Sequence, residues 1–67
     1  MNLLPHQERV VAEKADLDVK REKLSAFFNT PMFSGLPVAE QNRLKLQAQH
    51  MYMYSEVLAE RVEAFNE

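Results

Sequence analysis

The sequence predicts an all-α protein: an antiparallel two-helix hairpin that self-associates into a helical bundle or a larger oligomer. Three observations predict it. Leu44, Met51, Leu58 and Phe65 recur every seven residues, each preceded three places earlier by Gln41, Ala48, Ser55 and Val62, which is the a/d pattern of a heptad seam. Leu3, Val10, Leu17 and Leu24 recur in the same way, alternating with Gln7, Lys14, Arg21 and Phe28. A short segment carrying Pro31, Gly35 and Pro37 separates the two runs, and two long helices with a short link become antiparallel neighbours. The whole chain, 1–67, is read as a single domain, with helix one over about 5–28, a connection over 29–36 and helix two over about 37–66.

Helix one opens at Pro5, whose missing N–H and fixed φ suit a first turn. No glycine or proline interrupts it up to Phe28. Its seam is apolar at one position of each pair and long and polar at the other. Ala12, Ala15, Val19 and Ala26 form a small-residue side, which admits either a second helix at close range or plain solvent.

In the connection, Asn29 is placed to close the first helix, and Pro31 disfavours helix at Thr30. Gly35, the one glycine, is expected to take a positive φ. Met32, Phe33 and Leu36 are expected to fold back on Phe27 and Phe28 and plug the closed end of the hairpin. Pro37 is assigned to the first turn of helix two, with Glu40 stabilising its positive end.

Helix two carries a second apolar line, Leu46, His50, Met53, Val57 and Ala64, on a face different from its seam. One partner helix cannot cover both. The expected oligomer interface therefore comprises Leu44, Ala48, Met51, Ser55, Leu58, Val62 and Phe65, together with Met53 and Val57.

Composition supports association. A 67-residue chain buries only about 60% of its unfolded surface. With no cysteine it has neither a disulfide nor a thiolate metal site, and His6 and His50 are too far apart in sequence for a local metal clip. The formal charge of −2 argues against a nucleic-acid-wrapping protein. No apolar run approaches the roughly 20 residues of a membrane span, and no charged-then-apolar leader is evident, so a soluble, intracellular protein is expected.

No catalytic constellation is present. Ser25, Ser34 and Ser55 lack a nearby His–acid pattern, and there is no Gly-rich phosphate loop. The protein is expected to be non-enzymatic, with no cofactor and no metal. The carboxylates Glu8, Glu13, Asp16, Asp18 and Glu22 are spread around helix one, a distribution suited to solvation; Asp16 is spaced to pair with Lys20, and Asp18 to oppose Glu22.

Lys14 and Arg21 stand out as successive polar seam residues one heptad apart. In one reading their stems pack on Leu17 and Leu24 while the charged heads reach water, fixing register and oligomer state. In the other they form an anion site, with Tyr52 and Tyr54 offering stacking surfaces on either side of the seam and Arg61 a further cation. The candidate ligand-binding residues are thus Lys14, Arg21, Tyr52, Tyr54 and Arg61.

The chain also resembles a family of small proteins encoded by tailed phages and prophages. The resemblance rests on His6-Gln7-x-Arg9-Val10-Val11, on Lys23-Leu24-x-Ala26-Phe27 and on Tyr54-Ser55-x-Val57-Leu58-x-x-Arg61, and covers almost the whole chain. It implies a phage origin, the host cytoplasm and an accessory role outside the virion. Anti-CBASS sponges, small helical hairpins that assemble and hold cyclic nucleotides between subunits, are similar in size and inferred architecture. Two functional readings follow: an oligomeric helical module that modulates a host or phage protein, and a counter-defence sponge that sequesters a cyclic-nucleotide or related anionic signal between subunits.

Overall fold

A computed structural model describes residues 3–66. Three helices follow in order, α1 (Pro5–Phe27), α2 (Pro31–Ser34) and α3 (Val38–Ala64), and no strand occurs among the described residues. α1 and α3 pack along their length as a rod measuring 48 × 15 × 14 Å.

The heptad seams make this contact. Every seam residue from Leu3 to Phe28 and from Gln41 to Phe65 is buried or half-buried. Val10 and Leu17 of α1 and Leu58 of α3 form the central cluster, with Met51, Val62 and Phe65 packed around it. Leu58, at 1% exposure, is the most deeply buried of these.

α1 begins as its sequence dictates. Pro5 occupies the first turn, and the Gln7 side chain accepts a hydrogen bond from the Leu4 N–H at 2.9 Å, satisfying a donor that the helix leaves free. Its C-cap is Phe28, and Asn29 lies beyond it, exposed.

The connection differs from expectation. It contains the single helical turn α2, capped by Thr30, whose Oγ1 accepts from the Phe33 N–H and donates to the Phe27 carbonyl at 2.7 Å. That one hydroxyl joins the end of α1 to the start of α2. Gly35 does not take a positive φ: it lies at φ −81°, within the right-handed helical region, as the C-cap of α2. The helical turn reverses the chain without a left-handed residue, so the glycine's special freedom is unused. Pro37 is the N-cap of α3 rather than part of its first turn, while Glu40 does lie in that turn and pairs with Arg43 at 2.8 Å.

The aromatic plug forms around Phe33. Phe33 is buried and meets Phe27 and Phe28 edge-on, with ring centroids 5.9 and 4.9 Å apart. Leu36 is half-buried, and the Gln41 side chain donates to its carbonyl at 2.9 Å, tying the connection to α3. Met32 is the exception. Its side chain points outward at 74% exposure, because the turn of α2 presents Phe33 inward and leaves its neighbour on the opposite side.

Candidate functional site

A polar node interrupts the apolar seam halfway along the hairpin. On α1, Lys14, Asp18 and Arg21 fall at i, i+4 and i+7, which one helical face holds together. On α3, Ser55 is directed at that face and is 2% exposed. Asp18 is the centre: its Oδ2 accepts from Lys14 Nζ at 2.7 Å, and its Oδ1 accepts from Arg21 at 2.9 Å and from the Ser55 hydroxyl at 2.6 Å. The Lys14, Ser55 and Arg21 bonds, in that order, hold the Asp18 carboxyl well below the usual carboxylate range, since each favours the ionised form.

Arg21 reaches further. Its guanidinium lies over the Tyr52 ring, 5.1 Å from the centroid, a cation–π distance. One of its N–H groups is committed to Asp18, and the half-buried guanidinium has further donors beyond that bond. Beside it runs an open groove of about 430 Å³ lined by Asp18, Arg21, Glu22 and Ser25, continued by a smaller one between Arg21, Ser25, Phe28 and Ala48. The two share Arg21 and Ser25 and form one shelf, largely on α1, where the Arg21 cation stands with the carboxylates of Asp18 and Glu22 and Tyr52 lies beside Arg21.

The candidate ligand residues therefore separate. Lys14, Arg21 and Tyr52 meet around Asp18. Tyr54 lies elsewhere, in a groove of about 480 Å³ with Arg9, Glu13, Asp16 and Lys20 above Leu17, where two cations and two carboxylates balance. Arg61 is exposed in the last turn of α3, a position where a cation complements the negative end of the helix.

The expected oligomer-interface residues separate as well. Leu44, Ala48, Met51, Ser55, Leu58, Val62 and Phe65 all lie on the hairpin's own seam, buried or half-buried, whereas Met53 and Val57 point outward at 62% and 52% exposure.

Asp18 is the residue that the sequence reading passed over, having set it among the solvated carboxylates and against Glu22. The spacing held a signal: Lys14 stands four residues before it and Arg21 three after, both favourable pairings. The described residues show ion pairs at Lys14–Asp18, Arg21–Asp18 and Arg43–Glu40, and the expected Asp16–Lys20 pair is not among them.

No group of three or more potential metal ligands occurs among the described residues, and no helix there is long and apolar enough to cross a membrane. No curated protein and no solved structure matches the chain. A protein-family model does: the Sequestin model matches residues 4–64, nearly the full length of the hairpin, and the chain belongs to the Sequestin family.

Proposed function

We propose that this chain is a non-enzymatic sequestering protein that holds a small anionic ligand of the nucleotide class on the shelf at Arg21 and Tyr52. The observation that carries the reading is the Arg21 guanidinium held over Tyr52 at 5.1 Å by its bond to Asp18. A part-exposed cation beside a half-exposed aromatic ring suits a phosphate next to a base. The family's name points the same way, toward binding and retention rather than turnover. The groove is open along one side, so a ligand enclosed there needs a second wall, which a second hairpin supplies. In this reading the protein is a phage product acting in the host cytoplasm, and the ligand is a cyclic-nucleotide signal of the host's defence.

The test is calorimetric titration of the protein with a panel of cyclic mono- and dinucleotides, repeated with Arg21→Met and Tyr52→Leu. Saturable binding by the parent, lost in both variants while helicity is retained, is the expected result. Binding that survives both substitutions removes the shelf from consideration, and failure of the whole panel removes the nucleotide reading. The other reading, modulation of a host or phage protein, draws on the outward apolar line of α3, where Leu46, Met53 and Val57 are all more than half exposed.

A further inference from the structure

The hairpin is too thin for its mass. A compactly folded chain of 7.8 kDa presents about 4,400 Å² to solvent, and this one presents 5288 Å². The excess of about 900 Å² is close to the roughly 800 Å² that each partner contributes to a stable interface. Exposed apolar side chains concentrate on one element to match. Leu46, Met53 and Val57 are 53%, 62% and 52% exposed, and all three lie about 180° around α3 from the Ser55 side of its seam, at 100° per residue.

This outer face has its own 3–4 spacing, through positions 46, 50, 53, 57, 60 and 64, occupied by Leu, His, Met, Val, Glu and Ala. The set is symmetric about residue 55. Position 46 mirrors 64, 50 mirrors 60, and 53 mirrors 57. Reversal of the helix thus superposes the face on itself, which is the requirement for a two-fold antiparallel contact.

We propose that the outer face of α3 seats a second copy of this chain, packed antiparallel about a two-fold axis level with Ser55. At the centre, Met53 and Val57 lie against the partner's Val57 and the partner's Met53. On either side His50 meets the partner's Glu60, an acceptor for its ring N–H in the neutral form and a counter-charge in the protonated one. At the ends the large Leu46 faces the small side chain of the partner's Ala64. A parallel pairing sets His50 on its own counterpart and Glu60 on its own, like upon like, and forfeits the complementarity. The dimer uses the back of α3 and not the Arg21 shelf; a hairpin that closes the shelf is a further copy, so the dimer stands or falls separately from the nucleotide reading.

The chain's lack of cysteine makes the orientation directly measurable. Across an antiparallel contact centred on residue 55, position 46 and its own counterpart are about 27 Å apart along the axis at 1.5 Å per residue, whereas 46 and 64 are adjacent. Mild oxidation of Leu46→Cys/Ala64→Cys is expected to give a covalent dimer, and Leu46→Cys alone to give none. Cross-linking by Leu46→Cys alone overturns the antiparallel arrangement. In sedimentation, the parent is expected to be dimeric. Met53→Glu is expected to raise the dissociation constant by about 100-fold. His50→Glu is expected to weaken the dimer, and the exchange His50→Glu/Glu60→His to restore it. A monomeric parent at 100-micromolar order, or a Met53→Glu variant that dimerises like the parent, overturns the proposal. Arg21→Met, which does not touch this face, is the control expected to dimerise normally.

Discussion

Leu58→Ala puts the architecture to its most direct quantitative test. Leu58 is 1% exposed and joins Val10 and Leu17 in the central cluster, so truncation removes a buried isobutyl group and leaves a void. Buried Leu→Ala changes cost about 2–5 kcal/mol, depending on how far the surroundings collapse. Here Met51, Val62 and Phe65 form a half-buried rim that relaxes partly into the space, which sets the expectation near 3 kcal/mol. At 0.05–0.15 kcal/mol per residue, a chain of this length has a total stability of about 3–10 kcal/mol, so the loss is about 30% of it or more. The midpoint of thermal unfolding should fall by about 12–24 °C, using 4–8 °C per kcal/mol for a domain of this size. The comparison is Val57→Ala, one position away on the outer face and 52% exposed, which should cost less than about 0.5 kcal/mol in dilute protein. Circular dichroism at 222 nm, followed through heat and urea at the lowest workable concentration, measures both. Equal shifts for the two variants would refute the assignment of the Ser55–Leu58 face as the hairpin's core.

Three other perturbations are informative. Because Asp18 ionises at lower pH in the folded protein than its unfolded value of about 3.9, its contribution is full above that value and is lost as pH falls below it; the urea-midpoint difference between the parent and Asp18→Asn should stay constant from pH 8 to 6 and shrink toward pH 2, and a difference flat down to pH 2 would contradict an ionised node. Phe33→Ala removes the ring buried against Phe27 and Phe28 and should cost about 3 kcal/mol, with amide exchange rising first across residues 27–36; unchanged protection there would mean that the plug does not hold the turn. Gly35→Ala should be neutral or stabilise by about 0.4–1 kcal/mol, since its φ is negative and the new methyl meets the Pro31 and Met32 carbonyls at 3.4 and 3.6 Å; a marked loss of thermal stability would indicate a different turn.

The seams were legible because heptad periodicity is a property of each helix alone. Val10, Leu17, Met51 and Leu58 could be placed on the heptad seams, and Leu46, Met53 and Val57 on a separate apolar line, before any contact was known. Which of the two lines of helix two faces helix one could not, and the expected oligomer interface drew residues from both. The turn was less legible. Thr30 caps α2 only once the chain has reversed, and Gly35 was expected to provide a positive φ that a helical turn makes unnecessary. The node was half-legible: Lys14 and Arg21 were conspicuous as polar residues on an apolar seam, and Tyr52 as an aromatic beside it. What joins them is the carboxylate of Asp18 together with a hydroxyl 37 residues further on. That pairing depends on how two helices align, and no periodicity within either helix reports it.

The Ser55–Asp18 bond has a consequence for which hairpins the chain excludes. A seam that repeats every seven residues tolerates sliding: moving α3 along α1 by one heptad, about 10 Å, brings Met51 or Phe65 to the place of Leu58, and apolar packing alone discriminates weakly among the three. The same slide brings Ala48 or Val62 opposite Asp18, and neither offers a proton to the carboxylate. Each displaced arrangement thus costs the carboxylate the donor that the native one supplies at 2.6 Å, leaving it only Lys14 and Arg21 of its own helix. A single hydroxyl near the middle of the rod acts as a detent, turning a family of nearly equivalent slid structures into one.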